Sequence, residues 1–319
     1  FYPMRFLPLI RKSHDREISE SVVFAPCFLF SSSFFVFCLL LLCFCLLLIL
    51  LLKNAIVQGM NIRIKTTEEI AKMRDGGRIL ATILGELAAM VKPGVTTGEL
   101  EAYAKKRTEE LGALTAFEGY TAHGAAPPFP SCICISVNEE VVHAPALPSR
   151  TLKEGDIVGI DYGVRYPKEN GFYTDMAVTV GVGTITPEAQ KLMTVTRRSL
   201  LQALKHVKPG KTVNDISRAV QRFVERNGFS VVRELVGHGV GHEVHEDPRI
   251  PNFFDPTMPK VILKEGMCLA IEPMVTAGKP DVETLSDGWT VVTKDKSLAA
   301  HFELTVVVTA GGYQILTQI

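Results

Sequence analysis

Four acidic residues, Asp161, Asp175, Glu272 and Glu303, each interrupt an apolar run patterned like a β-strand: VGIDYGV, FYTDMAVTV, CLAIEPMV and HFELTVVVT. A glycine-bracketed histidine, His238 of GHGVGHEVHEDP, joins them. An ionised carboxylate withdrawn from water is costly unless it is paired or coordinated. The same conflict at four places predicts a bound divalent cation. It also predicts a fold that carries distant strands to one point.

Charge totals narrow the alternatives. The chain holds 34 basic and 34 acidic residues, so no broad nucleic-acid footprint and no polyacidic tail is expected, and function must reside in a site. Of seven cysteines, Cys27, Cys38, Cys43 and Cys45 fall in the N-terminal apolar region. Cys132 and Cys134 have no second pair to complete a zinc knuckle, and with Cys268 they read as core thiols of a reducing compartment. Residues 34–52, FFVFCLLLLCFCLLLILLL, carry no charge over nineteen positions, the length of a membrane-spanning helix. Basic residues flank both sides, so orientation is undecided, and no small-residue cleavage site follows. Two readings of residues 1–59 stand: a membrane anchor, or upstream sequence wrongly joined to the protein. Residues 60–319 suit one globular domain.

From Met60 onward the elements come in clusters. Thr67, Glu68 and Glu69 open a helix whose apolar positions Ile70, Met73, Leu80, Leu84 and Leu87 recur at helical spacing to Val91. Lys92-Pro93-Gly94 breaks it, Thr97 caps a second helix, and Gly112 ends that one. The same grammar returns: VKPGVT at Val91 matches VKPGKT at Val207, and LKEG at Leu152 matches LKEG at Leu263. Nine positions beyond each LKEG start stand Asp161 and Glu272, so an internal repeat places one carboxylate at the same point of each half. Strands are expected at Ile157–Val164, Tyr173–Val182, Cys268–Val275 and Phe302–Val308. The class is α+β, a mostly antiparallel sheet with helices on its outer face.

A hairpin turn centred near Lys168 would set Asp161 directly opposite Asp175, like charges that a cation reconciles. HEVH lacks one residue of the helical H-E-x-x-H zinc motif, and three glycines make a helix improbable there, so the His238–His245 segment reads as loop or strand. Four carboxylates and one imidazole suit two adjacent divalent ions sharing an ionised water, a centre that hydrolyses amides or phosphoesters. Cobalt, manganese, iron and zinc all accept such ligands.

With these motifs in place, residues 60–319 resemble the type I methionine aminopeptidases, which remove the initiator methionine of new polypeptides. The resemblance implies the pseudo-twofold pita-bread fold, with Asp161, Asp175, His238, Glu272 and Glu303 as ligands of two metal ions. It implies that His143, in SVNEEVVHAPAL, lies beside the scissile bond and that His245 donates to the substrate carbonyl. Glu272 is expected to shuttle a proton to the leaving amine, and Asp175 with its metal to meet the free α-amino group. Tyr120, Phe129, Cys134 and Trp289 are implied as a soft apolar pocket for the thioether. The implied partners are nascent polypeptide N-termini beginning with Met, with ribosome association, no direct nucleic-acid binding, and a cytoplasmic catalytic domain. A membrane contact would come only through residues 34–52.

Some positions depart from that pattern. Val244 stands where an aromatic is common, Leu304 where histidine is common, and FEGYTAHGAAPPFPSC is longer than a compact loop, with His123 read as surface. A proline-specific aminopeptidase or prolidase would share the five ligands, but carries an extra N-terminal domain and an arginine where this chain has His301-Phe302-Glu303. A type II enzyme would need a long insertion, whereas 27 positions separate His245 from Glu272. A non-catalytic binding module would have lost ligands; this chain keeps all five.

Overall fold

The computed structural model describes residues 59–121 and 127–318; the apolar stretch 34–52 and His123 lie outside them. Among the described residues no helix is long and apolar enough to cross a membrane.

Among the described residues four helices form behind threonine caps, three of them with an acid at capping-box distance. The first, α1 (Thr67–Met90), starts from Thr66, whose Oγ1 accepts the Glu69 N–H at 3.3 Å while the Glu69 carboxylate accepts the Thr66 N–H at 2.8 Å. The second, α2 (Thr97–Glu110), repeats this capping box with Thr96 and Glu99. The first helix opens at Thr67 as expected, and the cap of the second is Thr96, one residue before Thr97, because the box needs its acid three positions after the cap. Helix α3 (Pro187–Leu204) starts from Thr186, and α4 (Val213–Arg226) from Thr212 boxed with Asp215.

The main sheet has nine strands: β1 (Leu114–Thr115), β2 (Cys134–Val137), β3 (Ile157–Tyr166), β4 (Phe172–Gly181), β5 (Val236–Gly239), β6 (Glu246–Pro251), β7 (Cys268–Ile271), β8 (Glu303–Thr309) and β9 (Gly312–Ile315). Its order is β1-β3-β4-β8-β7-β5-β6, with β2 added to β3 and β9 to β8, and every pair is antiparallel. Alternation along the strands separates the two faces. Ile160, Tyr162 and Val164 of β3 turn toward Leu80, Leu84 and Leu87 of α1 and Leu100 of α2. Leu269 and Ile271 of β7 join Leu192, Leu200, Ile216 and Val220 of α3 and α4. The helices therefore cover one face, and the odd-numbered acids of β3, β4 and β8 point to the other.

Two expectations about the strands are corrected. The β3–β4 register pairs Tyr166 with Phe172, so Asp161 faces Ala177 and Asp175 faces Gly163. The turn is centred at residue 169, one position later than Lys168, and the aspartates are diagonal neighbours on one face. The run Cys268–Val275 is also not one strand. β7 stops at Ile271, and Met274–Thr276 pairs instead with Ala299–His301 and Ser230–Val231 in a separate three-stranded sheet. Pro273 has no N–H to continue a ladder, which accounts for the break. On the return, the chain leaves that small sheet at Phe302 and re-enters the main one at Glu303.

Candidate metal centre

Asp161 and Asp175 come from the middle of unbroken strands, while Glu272 and Glu303 stand at the two points where the chain crosses between sheets. The fifth group, His238, lies at an irregularity of the β5–β6 ladder and pairs with Ala270 of β7. Its glycine neighbours are required by close backbone approach: a Cβ on Gly237 would lie 2.6 Å from the Ala270 carbonyl oxygen, and one on Gly239 would lie 2.2 Å from that of Asp247. Such a bulge re-aims a side chain, here inward. All five groups line one cavity of about 30 Å³. Single ligand atoms of Asp175, His238 and Glu303 lie within 4.8 Å of one another.

The electrostatics of this cluster are those of acids held together against their charge. Burial raises the Asp161 carboxyl well above the usual range, with the charges of Asp175 and Glu272 adding to it. Burial does the same to Glu303, again reinforced by its acidic neighbours. Asp175 is pushed up to about 7 by burial and then by Glu272, and Glu272 to about 7 by burial. Among the described residues, Asp161 Oδ1 and Glu303 Oε1 are buried without a hydrogen-bond partner. His238 Nδ1 lies 2.9 Å from the Gly239 carbonyl oxygen. Donating there leaves Nε2 as an acceptor, the arrangement found in metal-binding imidazoles. Burial lowers the His238 pKa, so the ring is neutral. Hard carboxylate oxygens, an inward imidazole nitrogen and orphaned buried acceptors fit a divalent cation.

Two further histidines reach the same space. His143 follows the short strand Glu140–Val142 with φ of +62°, an unusual backbone for a non-glycine residue, and lines both this cavity and an outer one of about 210 Å³. His245 also lines both; its ring centroid is 4.4 Å from that of His238, and its Nδ1 is 2.9 Å from the Tyr120 hydroxyl. The Tyr120 hydroxyl can donate to Nδ1, the arrangement that leaves the proton of the neutral ring on Nε2. Burial lowers the pKa of both His143 and His245. His242 goes elsewhere, to Glu69 at 3.4 Å and the Phe172 ring.

Of the predicted pocket residues, Tyr120, Phe129 and Cys134 line the cavity with the acids, and Trp289 packs with them without lining it. Phe129, Cys134 and Trp289 are buried in one cluster against Tyr120, with Phe129 and Trp289 edge to face at 5.2 Å. Trp289 Nε1 donates to the Pro127 carbonyl at 2.8 Å. Cys134 stands opposite Asp161 in the β2–β3 register, and burial together with the Asp161 charge raises its thiol pKa, so it is a neutral S–H. Cys132, Cys134 and Cys268 are all free and buried, as expected of core thiols.

Sequence reasoning missed two residues. Phe117 lines the same cavity and cluster; it lies three positions before Tyr120 and carried no motif of its own. His301, noted in the sequence only as a contrast with prolidases, is buried with Nε2 3.4 Å from Glu272 Oε2, while His238 Nε2 lies 3.5 Å from Oε1. A second histidine two residues before Glu303 was the available signal. Val244, a noted departure, packs in the aromatic cluster in place of a ring.

Residues 71–310 match metallopeptidase family M24. Methionine aminopeptidase 1 of Bacillus subtilis is 48% identical over 257 residues, spanning 80% of this chain and 98% of that protein. The crystal structure of methionine aminopeptidase from Thermotoga maritima superposes with a TM-score of 0.75 at 44% identity, covering 81% of this chain and all of that one. The prolidase from Pyrococcus furiosus is similar in fold, with a TM-score of 0.61 at 24% identity, covering 80% of this chain and 65% of that one.

Proposed function

The chain belongs to metallopeptidase family M24, among its methionine aminopeptidases, and from that premise we propose how its residues carry out the reaction. The activity is hydrolytic removal of an N-terminal methionine. We assign Asp161, Asp175, His238, Glu272 and Glu303 as ligands of two divalent ions drawn from cobalt, manganese, iron and zinc. When bound, such ions polarise a carbonyl and acidify a water. The single observation that supports the centre is five neutralisable donors lining one cavity, two of them with buried orphaned oxygens.

Glu272 is the proton carrier. It sits between His238 and His301 and faces both cavities, so it can take a proton from the attacking water and release it to the leaving amine. His245, protonated on Nε2, donates to the carbonyl oxygen as negative charge develops there. His143 lies at the junction of the two cavities, where the scissile amide passes. The free α-ammonium of the substrate is held against the acid cluster near Asp175, which restricts cleavage to the first residue. Phe117, Tyr120, Phe129, Cys134, Val244 and Trp289 enclose its thioether side chain, a soft apolar match. Residues 60–319 form the catalytic domain. It acts in the cytoplasm on nascent chains beside the ribosome, with residues 34–52 as the candidate anchor and no direct role for nucleic acid.

The test is methionine release from Met-Ala and Met-Gly peptides after metal reconstitution, with an Xaa-Pro peptide alongside. Release of methionine with the Xaa-Pro peptide untouched is expected. Cleavage of Xaa-Pro alone would move the chain to the proline-specific branch.

A further inference from the structure

His245 ends the turn formed by residues 241–245, and one carboxylate just outside the metal centre organises that turn. Glu246 Oε1 accepts the N–H of His242 at 2.6 Å and that of Glu243 at 3.1 Å. Its Oε2 takes the ammonium of Lys65, and only 1% and 3% of the two side chains remain exposed. Among the described residues this is the only Lys or Arg ion pair with both partners so buried. Buried ion pairs are poor sources of stability, and their best-attested use is to specify one arrangement over others.

Lys65 belongs to the stretch that leads into α1, and this stretch is itself anchored. The Lys65 N–H donates to the Gly266 carbonyl at 2.9 Å, and Ile64 bridges Met267, immediately before β7. At the other end the Asn61 N–H donates to the Asp247 carboxylate at 3.1 Å. Residues 61–65 are thus a strap joining the strand that runs on to Glu272 with the turn that carries His245. Gly241 makes room for it: at φ of +145°, a Cβ there would lie 2.5 Å from Lys65 Cε. Lys65 lines neither cavity, whereas Glu246 lines the outer one.

We propose that Lys65 and Glu246 are positioning residues for methionine release: their buried pair fixes the 241–245 turn relative to β7 and so sets His245 at the scissile carbonyl. Lys65 needs no contact with substrate. The inference rests on the role given to His245 above. Small misplacements of such a group cost rate more than binding.

The experiment compares the full-length metal-loaded chain with its Lys65→Met variant, in parent and His245→Ala backgrounds, on a Met-Ala-Ser peptide. Expected is a fall in kcat of about 10- to 100-fold with KM changed less than about twofold. Bound metal per chain should be unchanged, and Lys65→Met should cause no further loss once His245 is absent. Amide hydrogen exchange at His242 and Glu243 should quicken at least about tenfold while α2 keeps its protection. A parent-like kcat, or an equal loss with and without His245, overturns the proposal. If the parent itself releases no methionine, the functional reading fails separately, and parent-like protection at His242 and Glu243 in the variant then overturns the strap. Should Lys65→Met not fold, Glu246→Gln, which keeps shape and one acceptor, is judged by the same outcomes.

Discussion

In the first half of the sheet the Gly94 N–H donates to the Leu152 carbonyl at 2.9 Å, and the Leu152 N–H returns to Val95 at 2.8 Å; in the second, Gly210 donates to Leu263 at 3.1 Å and Leu263 to Lys211 at 2.8 Å. Both glycines are left-handed, at φ of +92° and +82°, and each turn leads into a helix with a threonine capping box. Beyond these turns the halves diverge. β3 and β4 pair over ten uninterrupted positions and present the shorter acids, Asp161 and Asp175. β7 and β8 are cut beside the small sheet and present the longer ones, Glu272 and Glu303. Added outside them, β2 contributes Cys134 to the pocket, whereas β5 contributes His238 to the acids. A repeated scaffold thus carries two different chemistries: the first half supplies most of the apolar pocket and His143, and the second supplies His238, His245, His301 and the proton carrier.

That division can be broken in order of effect. Glu272→Gln should lower kcat by about 10²- to 10⁴-fold with the fold retained by circular dichroism. Near-normal turnover would remove the proton role from the second half. His245→Ala comes next, with an expected loss of about 10²- to 10³-fold in kcat and little change in bound metal. His301→Gln should cost about 10- to 100-fold in activity or metal affinity, read by titration of the metal-depleted protein. Parent values there would reduce His301 to packing.

Metal removal tests whether the acids of both halves act as one group. Their pKa values lie higher in the folded protein than in an unfolded chain, near 7 for Asp175 and Glu272. Such a group contributes stability at acid pH and loses that contribution as pH rises through the folded value. The metal-free protein should therefore unfold more easily at about pH 8 than at about pH 6. With saturating metal the trend should reverse, because binding requires the deprotonated ligands. Parallel pH trends in thermal unfolding with and without metal would contradict the shared centre. The smallest effect concerns the repeat itself: Gly94→Ala and Gly210→Ala should each cost about 1 kcal/mol in urea unfolding, since each glycine has open space around it but a left-handed backbone. A large inequality would mean that the two turns no longer do the same work.

How much could be read in advance depended on how local the cause was. A carboxylate in an apolar run conflicts with its immediate neighbours, so all four acids could be picked out without a structure. Threonine-acid boxes are equally local: the first helix opens at the expected Thr67, and the cap of the second was misplaced by a single residue. The diagonal offset of Asp161 and Asp175 was not legible, because it follows from a turn centred one position later than composition suggested. The break at Pro273 was hidden inside a continuous apolar run, since strands in either sheet look alike in sequence, whereas the strand expected from Phe302 begins at Glu303. Phe117 has no neighbour in the chain that marks it, the place of His301 two residues before Glu303 was its one signal, and the carboxylate partner of Lys65 lies about 180 positions away.

Sequence alone determined which side chains must be brought out of water together, and through its repeated turns it determined that two similar halves would do so. The penalty for burying charge, and the demand of a turn for glycine, act within a few residues. Only the tertiary structure decided which oxygen faces which nitrogen, where strands stop to admit a glutamate, and that a buried lysine ahead of the first helix holds the turn of His245. Those outcomes depend on register and long-range packing, where a shift of one residue moves a side chain to the other face.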